Sequence, residues 1–192
     1  MIHFIKLSLI LVLGLNSFYS YSQVDHEAAM KAWTAYMTPG EIHKMIARTD
    51  GEWSTDISLW MDPKAAPVNS KGSCSNKMIL GGRYQESMYK GDFMGMPMEG
   101  ISILAYDNAT KVFQSTWIDN MGTGIMEMSG TWDPATKTIN FTGTQVDPSA
   151  GKNMKVRETF KFVTDNSQLM EMFITPEGGP EFKSMEIKFT RK

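Results

Sequence analysis

Cysteine is almost absent: Cys74 is the single thiol in 192 residues. One cysteine excludes an intrachain disulfide framework and any thiolate-cluster zinc site, both of which need several sulfurs. Histidine is nearly as scarce, and His3, His26 and His43 all precede residue 50. The rest of the chain therefore has no donors for a histidine-ligated haem, a Ser/His/Asp triad built on its own strands, or a three-histidine zinc site. Charge of one sign is missing too. Nineteen basic residues oppose 21 acidic ones, a formal net charge of −2, so there is no basic field for nucleic acid and no acidic tail. No Gly-rich phosphate loop follows a strand and no metal-carboxylate loop is visible, so no cofactor is implied.

What remains is 42% hydrophobic and 21% charged, the composition and size of one globular domain. Residues 1–22 read as a secretory signal. Lys6 supplies a short basic start, Leu7 to Leu15 form an uncharged apolar run, and Ser20-Tyr21-Ser22 offers small residues for cleavage before Gln23. The run is too short to span a bilayer, and no cysteine follows it to carry a lipid anchor. A buried core helix is the alternative, disfavoured because the run is not amphipathic and sits at the extreme N-terminus. Removing Lys6 with the leader takes the net charge from −2 to about −3 in a chain of about 170 residues. The expectation is an exported protein, periplasmic or extracellular, with no transmembrane span in its mature form. Cys74 is then an unpaired thiol in an oxidising place, best read as a small buried hydrophobe.

A helical segment is expected over 23–49. Ala29, Trp33, Tyr36 and Met37 recur at three and four, and Thr38-Pro39-Gly40-Glu41 marks a break and restart in which Thr38 caps, Pro39 opens the helix and Glu41 closes a capping box. Beyond Asp50 the period changes to two. Residues 154–162 alternate most clearly, with Met154, Val156, Glu158, Phe160 and Phe162 on one face. Similar runs at about 52–61, 73–80, 83–90, 98–106, 111–119, 124–132, 137–146, 168–175 and 181–190 are separated by Gly, Asp, Asn, Pro and Ser clusters. About ten short antiparallel strands manage their edges most simply by closing, which predicts a mainly β, up-and-down barrel over 50–192. Ten strands exceed the number whose side chains just fill the interior, so closure implies a cavity, with the helical segment free to plug one end. A two-sheet sandwich is the structural alternative. Tyr106-Asp107-Asn108-Ala109-Thr110-Lys111 and Trp132-Asp133-Pro134-Ala135-Thr136-Lys137 are near copies 26 positions apart, which places both turns at one end of a meander. A chance likeness of two hairpin turns, a local duplication and a true repeat architecture all account for them, although a solenoid would need more copies.

Methionine is the compositional excess, with 17 residues. Met126 and Met128, and Met170 and Met172, lie two apart and so share a strand face. They form a deformable apolar lining. Met94, Met96 and Met98, in a Gly/Pro-broken segment, are less easily read as core, and their thioethers suit Cu(I) or Ag(I). His43 reads as a solvated helix histidine, the alternative being that it tips into the barrel mouth. Glu158 lies between Val156 and Phe160 on an apolar face, where a charge must be paired, hydrogen-bonded or neutralised. It orients a ligand, pairs with a cation, or is exposed by a register slip; all three stay open. Asp119 shares a face with Trp117 but leads into a turn, where Asp usually bonds backbone.

Gly51-Glu52-Trp53 at the first strand looks like the Gly-x-Trp start of lipocalin-type barrels. Met94-Gly95-Met96-Pro97-Met98-Glu99-Gly100, then Tyr106-Asp107-Asn108, Ser115-Thr116-Trp117-Ile118-Asp119-Asn120 and Gly124-Ile125-Met126 resemble the bacterial domain of unknown function 1579 family. The likeness runs from the second helix to the C-terminus. It implies a calycin-like, lipocalin-like antiparallel barrel, exported in many members, with no established activity and no catalytic residue to carry over. The leading expectation is a binding module for a small apolar or amphipathic molecule, lined by Trp53, Phe113, Trp117, Met126, Met128, Met170 and Met172 and oriented by Glu158. Alternatives are a Cu(I)/Ag(I)-binding envelope protein using the Met-rich segment, a ligand-free structural or interaction barrel, and, with least support, proton transfer by Glu158.

Overall fold

The computed structural model describes residues 26–192; the expected leader, residues 1–22, lies outside them. Two helices, α1 (His26–Met37) and α2 (Glu41–Ala47), precede ten strands. These are β1 (Gly51–Leu59), β2 (Val68–Ile79), β3 (Tyr84–Phe93), β4 (Met96–Tyr106), β5 (Phe113–Asp119), β6 (Met126–Asp133), β7 (Thr138–Asp147), β8 (Lys152–Thr164), β9 (Ser167–Thr175) and β10 (Phe182–Arg191). Each strand pairs antiparallel with its sequence neighbours, and β10 returns to β1 from Trp53 opposite Arg191 to Leu59 opposite Met185, closing the barrel. The expected up-and-down barrel is the one observed. Among the described residues no helix is long and apolar enough to cross a membrane.

Period-two alternation sends one row of each strand inward. Trp53, Phe113 and Ile139 are fully buried, and Phe141, Val156, Ile187 and Phe189 pack with them. Glycines on β4 and β6 make room for rings on adjacent strands. A Cβ at Gly100 would meet the Trp117 indole at 2.3 Å, and one at Gly130 would meet Phe141 at 2.6 Å. Each large ring thus lies across a neighbouring strand that offers it no side chain.

The helices divide the work unequally. α2 plugs the barrel end with Ile46, 1% exposed, while Ile42 and Met45 pack beside it. α1 buries no residue: Trp33, Tyr36 and Met37, whose spacing with Ala29 predicts the helix, stay exposed, as does Met30. It is held by its C-terminal carbonyls, where Asn108 Nδ2 donates to the Tyr36 and Thr38 oxygens at 3.1 and 2.8 Å and Arg83 donates to Met37 O at 2.7 Å. The restart also differs from expectation. Gly40 is the N-cap of α2, and the residue three positions on is His43, whose Nδ1 accepts the Gly40 N–H at 3.1 Å. His43 is therefore buried rather than solvated, edge-on to Tyr106 at 5.9 Å. Burial pushes its pKa down and nearby Arg83 adds to this, against the raising effect of a hydrogen bond that the ring donates to the Tyr106 backbone carbonyl.

The two near-copy turns do lie at one end, the end that α2 covers. In each, the aspartate accepts the N–H two residues on, at 2.7 Å for Asp107 and 2.9 Å for Asp133, and Lys111 and Lys137 close the turn at φ 60° and 54°. Asp147 repeats the device at the opposite end, with Ser149 at 2.8 Å and Gly151 at φ 64°. A third copy at the wrong end for a repeat assigns the likeness to turn chemistry.

Candidate functional site

The covered mouth is sealed by hydrogen bonds centred on Thr49. Its carbonyl accepts from Trp53 Nε1 at 2.9 Å and Asn76 Nδ2 at 3.1 Å. Gln85, 4% exposed, donates through Nε2 to Thr49 Oγ1 and Asp50 Oδ1, both at 2.8 Å, and to Ile46 O at 3.2 Å. The last carbonyls of a helix have no intrahelical donor, so strand side chains supply one here. Cys74 lies just inside, 1% exposed, donating to Asn76 Oδ1 at 2.9 Å. Burial pushes its thiol pKa up to about 12, which makes it a poor nucleophile.

Below the seal lies a cavity of about 60 Å³. One side presents Ser87, Tyr89, Ser102 and Ser115; the other presents Ile139, Phe141, Glu158, Phe160 and Phe189. Glu158 is 9% exposed and makes no hydrogen bond or ion pair to a described residue. Pairing opposite Phe141 and Met172, it points inward by register, so neither a cationic partner nor a slipped strand accounts for it. Burial alone lifts its pKa to about 7. The Tyr89 phenol is raised well above its ordinary range, first by burial, with Cys74 and Glu158 adding to it. The interior thus offers one proton-exchanging carboxyl facing a wall of hydroxyls. The volume is far below the 300–1,000 Å³ or so of a drug-sized pocket.

A second, half-open cleft of about 300 Å³ lies outside the same mouth, between the end of α2 and the turns after β6 and β8. Trp132, Phe162, Arg48 and Lys137 line it. Thr49, Phe162 and Gln168 line both spaces and form the partition between them. β8 is irregular there, with its register to β9 shifting between Phe162 and Thr164.

The sequence matches the family described as "Protein of unknown function (DUF1579)" over residues 38–191. The chain belongs to that family. Among curated proteins none matches it in sequence. The DUF1579 barrel is similar in fold to Rv2717c from M. tuberculosis, with a TM-score of 0.61 and 10% identity over 81% of this chain and 99% of that one. It is also similar to the S-type phycobiliprotein lyase CPES from Guillardia theta, with a TM-score of 0.53 and 10% identity over 79% and 92% of the two chains. At these identities the likeness is one of fold.

Of the eight residues singled out as ligand-binding from the sequence, only Glu158 borders the interior cavity of the DUF1579 barrel. Trp53 lies under the seal with the Arg191 guanidinium 4.4 Å from its ring, and Phe113 is wedged between Tyr106 and Phe141. Met128, Met170 and Met172 are buried in the core and Met126 packs against it. Trp117 is half-buried, edge-on to Tyr89 at 5.1 Å, and donates to Asp119 Oδ2 at 2.6 Å. Asp119 uses its other oxygen to accept the Met121 and Gly122 N–H groups, both at 2.9 Å, as a turn aspartate does. Met94 and Gly95 form a two-residue hairpin at φ 55° and 85°, leaving Met94 and Met96 half-exposed at the end away from the helices. The residues missed were Ser87, Tyr89, Ser102, Ser115 and Gln168. Their one signal was a polar residue in phase with the apolar row, the signal that identified Glu158.

Proposed function

We propose that this protein is an exported small-molecule-binding barrel in which Glu158 orients a ligand's hydrogen-bond-donating or cationic group against the hydroxyls of Ser87, Tyr89, Ser102 and Ser115. The observation that carries this reading is the partnerless carboxyl of Glu158 deep inside a closed barrel. A buried carboxylate without a partner is destabilising by several kcal/mol, and a barrel serving only as a surface needs none. Barrels of this architecture commonly hold a ligand in the interior, and the likeness in fold to a phycobiliprotein lyase fits that use.

The size of the cavity revises the ligand. About 60 Å³ takes the volume of roughly two water molecules, so a long apolar chain has no room unless side chains move. Met170 and Met172, paired with Phe160 and Glu158, are unbranched thioethers and move most easily. The preferred guest is a compact amphipathic molecule whose polar head reaches Glu158. Native mass spectrometry of protein purified from its own host tests this, against the same sample denatured. A copurifying small molecule that is lost in Glu158→Gln is expected. The reading fails if neither wild type nor variant carries one and the variant binds small amphipathic amines as wild type does. Export is tested on the same sample, because the intact mass reports whether residues 1–22 have been removed.

A further inference from the structure

The outer cleft carries a chemistry that the interior does not. Trp132 and Phe162 border it with rings 5.6 Å apart at 74°. Gln168 forms its floor, 3% exposed, and its Oε1 has no partner among the described residues. A buried amide oxygen in that state forfeits a hydrogen bond until a guest donates one. At the rim, neither the Arg48 guanidinium nor the Lys137 ammonium makes a hydrogen bond or ion pair to a described residue, although Arg48 is within electrostatic range of Glu41. Asp165 is the one carboxylate lining the cleft, so the two cations leave a surplus of positive charge. The Lys137 backbone is tied to the aromatic wall, its carbonyl accepting the Phe162 N–H at 3.0 Å.

We propose that this cleft binds a planar aromatic molecule bearing one anionic substituent. The rings lie against Trp132 and Phe162, the anion sits between Arg48 and Lys137, and an N–H or O–H of the guest is donated to Gln168. The assignment rests on the reading of the barrel as a small-molecule binder and extends it to a site that does not use Glu158.

The test is a fluorescence titration of the full chain with 8-anilinonaphthalene-1-sulfonate and with its uncharged analogue N-phenyl-1-naphthylamine. Saturable binding that favours the sulfonate is expected. Arg48→Gln and Lys137→Asn should each weaken sulfonate binding about three- to fivefold and leave the neutral dye unchanged. Asn tolerates the left-handed backbone at position 137, so that variant keeps its turn. Trp132→Leu should weaken both dyes about tenfold. Equal affinity for the two dyes, or a sulfonate affinity that follows Ile125→Ser at the opposite end, overturns the proposal. Glu158→Gln separates the two sites. Dye binding lost in Glu158→Gln but kept in Lys137→Asn places the dye in the interior and removes the cleft alone. Dye binding that depends on Lys137, in a protein with no ligand sensitive to Glu158, leaves the cleft standing and removes the interior reading.

Discussion

Strands β2–β5 and β6–β10, nine of the ten in the wall, present unlike inner surfaces. The first half turns Asn76, Gln85, Ser87, Ser102 and Ser115 inward among Cys74, Tyr89, Leu104 and Phe113; the second turns Met128, Ile139, Phe141, Val156, Phe160, Met170, Ile187 and Phe189 inward. In the first half the large amides are satisfied, because Gln85 and Asn76 bond the end of α2 and Thr49. In the second half the two polar intruders, Glu158 and Gln168, have Glu158's carboxyl and Gln168's Oε1 without a partner. A satisfied buried polar group rigidifies a fold, whereas an unsatisfied one destabilises it unless something else supplies the bond. Ser70 Oγ on β2 is a buried atom of the first half that also lacks a partner among the described residues, so it is the contrast between the amides that separates structural polarity from polarity that awaits a ligand.

The contrast can be broken by substitution. Trp53→Ala should destabilise most, by about 3–5 kcal/mol in chemical denaturation, since it empties a fully buried site and removes the donor to Thr49 O. A loss near zero would show that the seal is not what holds the mouth.

Glu158→Gln should act in the opposite direction. The folded pKa of about 7 stands above the ordinary 4.5, so the folded chain holds its proton more tightly than the unfolded one. Wild-type stability is then fullest below about pH 4.5, falls as the pH rises to about 7, and is level above it. The whole difference is about 3 kcal/mol. Denaturation midpoints across pH 4–8 should show that slope in wild type and lose it in the variant; a parallel slope in both would place the titration elsewhere.

Gln85→Leu should cost about 2 kcal/mol, because it strips the donor from Ile46 O and Asp50. Gln168→Leu should change stability by less than about 1 kcal/mol, since its amide oxygen has no bond to lose. If the two glutamines cost the same, the halves of the wall are not different in kind.

The strands were legible because alternation is local: each run from β1 to β10 shows its period of two without reference to its partners. The inward phase of Glu158 was legible for the same reason, and so were the turns, through the bonds Asp107 and Asp133 make to their own backbone. α1 was legible as a helix but not as an exposed one, because its apolar spacing carries no information about whether a partner lies opposite. His43 was misread because its burial comes from Tyr106, more than 60 positions away. Trp53 and Phe113 looked like lining because the sequence shows which face a ring occupies, not how deep along the barrel it lies.

Pattern and turn chemistry along the chain were enough to determine ten antiparallel strands, the residues that face inward, and the anomaly of a carboxylate among them. How much space those inward side chains leave was decided only in three dimensions. Packing volume is a sum over all ten strands at one height, with the rings of Trp117 on β5 and Phe141 on β7 lying in space that Gly100 and Gly130 leave free. Periodicity carries a residue's phase; it does not carry the height at which strands from distant parts of the chain meet. The small cavity, the partition at Gln168 and the outer cleft all follow from that meeting.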